Sequence, residues 1–253
     1  MGEGADTDRT ARSPGRGLQA KVIDGVGRAI VRGTYPPGQL VPKEADLTEE
    51  YGVSRTSVRE AMRVLSAKGM VDIRQKIGTR VRPTEQWNAF DIDILRWHRD
   101  EGLGEPILRD LVEMRQIMEP QAARLAAGRA DMGDLRRLDA ALRAMDNAVP
   151  DREAYAHADV DFHLAVYGAS HNVMLRQFGA VVADFMYLSF SVQQETVPDP
   201  GILETDVEQH GAVLRAIHRG QGELASEAML DVVLDGKSAL IQALASARPD
   251  AGS

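Results

Sequence analysis

The chain contains no cysteine, so no disulfide frame holds it together. That fits a reducing compartment, and we expect the protein in the cytoplasm. No apolar run is long enough to span a bilayer, and the polar start Met1 to Arg16 lacks the apolar core of a signal peptide. A phosphate loop, a nucleophile motif and a dense metal signature are also missing, which argues against an enzyme. Positive charge is short overall: the net balance is -8, which taken alone speaks against nucleic acid as a partner.

The distribution of charge reverses that last inference. Residues 18–82 carry twelve Lys and Arg against seven Asp and Glu, residues 1–17 cancel, and the acidic excess therefore lies beyond residue 82. A basic module precedes an acidic one, and the acidic part keeps the rest of the chain from binding DNA without specificity. With 253 residues and 43% hydrophobic side chains there is room for two cores.

Within the basic module, Val22, Val26, Ala29 and Ile30 recur at helical spacing and are stopped by Gly33 and Pro36-Pro37. A second short helix follows Lys43, and Gly52 ends it. Ser54 stands where an N-cap belongs. Beyond it Val58, Ala61, Met62 and Leu65 make an apolar stripe, while Arg55, Thr56 and Arg59 fall on the other face. Val71 and Ile73, then Thr79 and Val81, alternate with charged residues across the turn Gln75-Lys76-Ile77-Gly78, a hairpin bearing Arg74, Lys76, Arg80 and Arg82. Three helices and a basic hairpin are the layout of a winged helix-turn-helix, in which the first turn of the third helix points at base edges. Arginine can pair with guanine or with phosphate, and the spacing leaves both open.

Beyond Trp87 the periods are helical, interrupted near residues 102–104, 131–133, 149–150, 170–172, 198–201 and 220–222, which outlines six or seven helices in a bundle. Polar residues interrupt the apolar stripes. Asp159 and His163 lie four apart between Tyr155, Phe162 and Val166; His210 interrupts Val207, Leu214 and Ile217; Arg115 and Glu119 interrupt Leu108, Leu111, Val112 and Ala122. Burying such groups singly is costly, so one shared polar pocket is the simplest arrangement. Asp159, His163 and His210 suit a divalent transition metal such as Zn with open positions, and equally a buried Asp–His hydrogen bond. Arg115 suits a structural pair with Glu119 or Asp159, and equally a clamp on a small carboxylate.

We therefore expect a mainly α protein, with a disordered arm over 1–17, a winged helix-turn-helix over 18–82, a linker over 83–89, an all-α bundle over 90–246 and a loose tail over 247–253. Four segments bring a known family into view. They are Gly52-Val53-Ser54-Arg55-Thr56-Ser57-Val58-Arg59-Glu60-Ala61, Met114-Arg115-Gln116-Ile117-Met118-Glu119-Pro120, Asp159-Val160-Asp161-Phe162-His163 and Glu208-Gln209-His210. Over residues 18–245 the chain resembles GntR-type transcription regulators of the FadR subgroup, with an FCD effector domain. The stretch Gln86-Trp87-Asn88 to Asp93-Ile94-Leu95-Arg96-Trp97 looks like the galactonate-operon repressors of that subgroup.

The resemblance implies a homodimer on a short palindromic operator in double-stranded DNA, released by a small organic acid. It assigns DNA contact to Arg55, Thr56, Arg59 and Gly78, with Ser54 and Lys43 beside them, and a metal facing the effector to Asp159, His163 and His210. Two positions depart from the family pattern. Ala45 stands where many relatives have arginine, which throws operator affinity onto Lys43 or the wing. Val232 stands where metal-binding relatives have a further histidine, which leaves water, the effector or a metal-free pocket to complete the site. A sugar acid such as an aldonate suits a pocket of many donors and acceptors around one cationic anchor. The alternatives are a sensor of another hydroxy acid or amino-acid derivative and, remotely, a metal-dependent enzyme with Glu119 as base.

Overall fold

Val22, Val26 and Ile30 turn one apolar side of helix α1 (Pro14–Val31) toward the stripe Val58, Ala61, Met62 and Leu65 of α3 (Arg55–Ala67). Between them α2 (Glu44–Tyr51) contributes Leu47 and ends at Gly52, whose φ of 65° is the left-handed conformation a helix C-terminus uses. Ser54 caps α3, its Oγ accepting from the Ser57 amide at 3.1 Å. Strands β1 (Val71–Arg74) and β2 (Gly78–Val81) pair antiparallel, with Val71 opposite Val81 and Ile73 opposite Thr79. An extension absent from the sequence reading is the segment around Leu40, which adds to the outer edge of β2 through Val41 N–H to Thr79 O and Val81 N–H to Gln39 O. Val71 and Val81 are buried, whereas Ile73 and Ile77 are exposed, so the apolar face of the hairpin covers only its base.

The computed structural model describes residues 14–103, 105–149, 151–193 and 200–246, and the chain divides into two units between Gly104 and Glu105. This division lies beyond the expected linker 83–89. That stretch contains a single turn, Thr84–Gln86, and is tied to the first unit through Trp87 Nε1–H to Arg82 O and Asn88 N–H to Lys68 O. Helix α4 (Ile92–Asp100), expected in the bundle, packs on α1 instead. Trp97 and Ile94 enter the first core, and Trp97 Nε1 donates to Asp24 at 2.8 Å. Lys68 fixes the connection by pairing with both Asp91 and Asp93. Of the expected arm, residues 1–13 fall outside the described residues. Pro14–Gly17 already belong to α1, where a leading proline gives up an amide that the first turn leaves unpaired anyway. The tail 247–253 and residues 198–199 of the break at 198–201 also lie outside the described residues.

The second unit contains α5 (Glu105–Arg129), α6 (Met132–Ala148), α7 (Arg152–Ala169), α8 (Val173–Gln193), α9 (Pro200–His218) and α10 (Gly222–Ser246). Asp131 and Asp151 cap α6 and α7, each carboxylate taking up amides the first turn leaves free. Phe162, Val166, Leu138, Met145, Val213, Ile217, Met229 and Val232 share one core. Pro120 sits inside α5, one residue after Glu119, and has no amide to return to the carbonyl of residue 116.

Candidate functional site

On α7, Tyr155, Asp159, His163 and Tyr167 succeed one another every four residues, and all four are buried. A helix stacks such positions into one row, so this face presents a polar ladder where a core stripe belongs. Two neighbouring helices meet it with the same spacing: Arg115 and Glu119 from α5, Asp206 and His210 from α9.

The expected five residues converge. Arg115 Nε and Nη2 donate to the two oxygens of Glu119 at 2.6 and 3.2 Å. His163 Nδ1 lies 2.8 Å from Glu119 Oε2, in a contact that falls short of hydrogen-bond alignment. Its Nε2 faces Arg115 Nη2 at 3.4 Å and His210 Nε2 at 3.4 Å. Asp159 Oδ1 stands 3.1 Å from His210 Nε2 and 3.8 Å from His163 Nε2. Glu119, Asp159, His163 and His210 have side chains 1–6% exposed, and Arg115, at 12%, is the one nearest solvent.

Burial alone would raise the Glu119 carboxyl, but Arg115 and then His163 outweigh it and hold its pKa down at about 2. Burial would lower His210; Asp206 and Asp159 outweigh it and raise that imidazole well above its ordinary range. His210 Nδ1 donates to the Asp206 carbonyl at 2.8 Å, which leaves Nε2 to face Asp159. Behind it, the Tyr155 hydroxyl donates to Asp206 Oδ2 at 2.5 Å. Burial next to Asp206 pushes the Tyr155 pKa far up, so it stays a donor.

Asp206 and Tyr155 were missed as members of the cluster. The sequence did hold the signal for Asp206, since it precedes His210 by four residues as Asp159 precedes His163. Tyr155 reads as an apolar stripe residue, and only its hydroxyl contact reveals the second role.

One oxygen of Asp159 and one nitrogen of each histidine lie within 4.8 Å of one another, as ligands of a single ion would. Each imidazole turns its remaining nitrogen toward an acceptor, Glu119 or the Asp206 carbonyl, which would fix the ring's orientation toward an ion. A metal takes neutral imidazoles, so an ion would displace the proton that Asp206 and Asp159 favour on His210; Arg115 against Glu119, Asp159 and Asp206 then leaves two negative charges, matching a divalent cation. The donor set therefore fits a metal. Val232 is buried in the core and offers no ligand. A further acidic group, Asp131, Asp134 and His171, is accounted for by capping: Asp134 accepts from the Asp131 amide and from His171 at 2.6 Å.

In the first unit Lys43, Ser54, Arg55, Thr56, Arg59 and Gly78 are all exposed. Arg55 has no ion-pair partner among the described residues, whereas Arg59 Nε is held by both oxygens of Glu44 at 2.9 and 3.1 Å. The wing arginines are also occupied: Arg74 by Asp72, Arg82 by Gln86, Arg80 by the Gly38 carbonyl. Lys76 at the tip is left free among the described residues, in the left-handed region at φ 64°.

Known proteins match both units. Residues 18–81 match the family model described as bacterial regulatory proteins, gntR family, and residues 110–235 match the FCD domain. The galactonate operon transcriptional repressor of Escherichia coli K12 is 32% identical over 213 residues, covering 84% of this chain and 92% of that protein. A candidate L-lactate dehydrogenase operon regulatory protein of the same organism is 32% identical over 218 residues, covering 85% and 83%. Among solved structures, Lar, described as controlling the Listeria monocytogenes agr system, matches with a TM-score of 0.60 at 20% identity, over 89% of this chain and 97% of that one, a likeness of fold. No helix among the described residues is long and apolar enough to cross a membrane. The chain belongs to the GntR family of bacterial regulatory proteins, in the branch that carries an FCD domain, and is a DNA-binding regulator of transcription, not an enzyme.

Proposed function

We propose that the protein is a cytoplasmic repressor that binds a palindromic operator as a homodimer and leaves it when a small carboxylate enters the bundle, the first choice being a sugar acid such as an aldonate. The observation that carries this reading is the buried convergence of Arg115, Glu119, Asp159, His163 and His210. So many buried charges and imidazoles are a costly way to fill a helical core, and a polar guest accounts for that cost. Among these five Arg115 is the most exposed, so it is the cationic group that an incoming carboxylate can reach. Hydroxyls of a polyol then find acceptors in Asp159 and Glu119. Asp159, His163 and His210 would hold a divalent ion such as zinc, which supplies a positive anchor for the acid when bound. Water or the acid completes the coordination that Val232 does not supply.

On the DNA side, Arg55 and Thr56 lie in the first turn of α3, and Arg59 one turn further on presents whatever Glu44 leaves free. Ser54 sets the start of that helix, while Lys43 and Gly78 flank it near the backbone phosphates.

A second reading, a sensor of lactate or another short hydroxy acid, draws support from the lactate-operon name of one relative. Both are tested by fluorescence anisotropy on DNA from upstream of the chain's own gene, with D-galactonate, L-lactate and an amino acid as competitors, with and without zinc. The first reading expects galactonate to release the DNA at the lowest concentration. Release by lactate alone selects the second, and operator affinity unmoved by every acid removes both.

A further inference from the structure

Tyr167 closes the ladder on α7 and is 1% exposed, yet its hydroxyl has no hydrogen-bond partner among the described residues. A buried tyrosine nearly always finds a partner, because an unmet hydroxyl loses its water without replacement. This one is not loose. The absence of a side chain at Gly179 on α8 makes room for the ring: a Cβ there would come within 2.6 Å of it. Phe178 packs against the ring edge-on, with centroids 6.1 Å apart. The hydroxyl is thereby held close to Glu119 and Arg115, turned toward the Glu119 carboxylate but without a partner at full hydrogen-bond alignment. Arg115 in turn spends Nε and Nη2 on Glu119 and His163, leaving the two N–H groups of Nη1 without a partner among the described residues.

Two sets of unused donors thus border one buried anion-binding group. Neither the Tyr167 hydroxyl nor Nη1 of Arg115 has a well-aligned acceptor among the described residues, so both have a donor to offer a carboxylate from outside the chain. We propose that Tyr167 is an effector-contact residue, whose hydroxyl donates to a carboxylate oxygen of the bound acid while Nη1 of Arg115 donates to the same carboxylate. The inference rests on the reading of the bundle as an acid sensor and adds to it the position of the acid's charged end.

The test compares the full chain with its Tyr167→Phe variant, which keeps the ring and removes only the hydroxyl. Thermal unfolding without acid, and operator release by D-galactonate and by L-lactate with zinc present, are measured on both. Without acid the variant should unfold at the same temperature or slightly higher, since the lost hydroxyl had no partner. With acid, the half-saturating concentration should rise about fivefold to tenfold, the worth of one hydrogen bond. Equal half-saturation in the two proteins overturns the proposal and leaves the sensor reading standing. A variant that melts lower yet responds equally also overturns it, by making the hydroxyl part of the fold. Should the wild type answer to neither acid, the sensor reading fails first and takes this contact with it.

Discussion

Glu119 stands between Arg115 at 2.6 Å and His163 at 2.8 Å, and its carboxylate is what allows the guanidinium to be buried at all. Its folded pKa is about 2 against an ordinary 4.5, so the unfolded chain takes up the proton first as pH falls. The stabilisation from Glu119 is therefore complete above about pH 4.5 and is lost progressively toward pH 2. With chelator present, urea denaturation across that window should show a steep acid limb in the wild type and a shallower one in Glu119→Gln. At pH 7 the same substitution leaves Arg115 without its counter-charge and should cost about 3 to 5 kcal/mol. A Gln variant as stable as wild type at neutral pH would mean that the pair does not hold the cluster together.

Helix α4 stays on the first unit because Trp97 is wholly buried there and Gly27 of α1 makes way for its ring. A Cβ on Gly27 would fall 2.3 Å from the indole. Gly27→Ala should therefore cost about 1 to 3 kcal/mol by overpacking, and Trp97→Phe in the same chain should recover part of that. Denaturation of the two single variants and the double gives the coupling, and simple additivity would show that the ring and the glycine do not meet. This is also where the sequence was least legible. The helix period of residues 92–100 could be read, but not which core it joins, because one apolar stripe fits either neighbour. The turn signals at Gly33, Gly52 and Asp131 and the cap at Ser54 were legible, since each acts on its own few residues. So were Asp159, His163 and His210, as polar breaks in apolar stripes. Tyr167 and Tyr155 were not, because a tyrosine serves a core as well as a site until its hydroxyl partner is known.

On the scale of the whole chain, the surface suited to DNA and the polar cluster lie in different units, one basic and one acidic, so sensing requires the two binding events to share free energy. That sharing is reciprocal. If saturating acid weakens operator binding by some factor, the operator must weaken acid binding by the same factor, and values of about 5 to 150 are usual for regulators. Calorimetric titration of D-galactonate into the free protein and into the operator complex measures the second factor; anisotropy with and without acid measures the first. We expect the two to agree, and to collapse together toward one in His163→Ala, while operator affinity without acid stays as in wild type. A variant that loses operator affinity without acid would make the cluster part of the DNA-binding fold instead of a switch. Matching factors in the wild type require each unit's equilibrium to feel the other's ligand, which is the physical content of regulation by an effector. Factors that disagree would place the acid's effect outside that equilibrium, in loss of the folded protein or of the proposed dimer, and no arrangement of Arg115, Asp159 and His210 would then explain release.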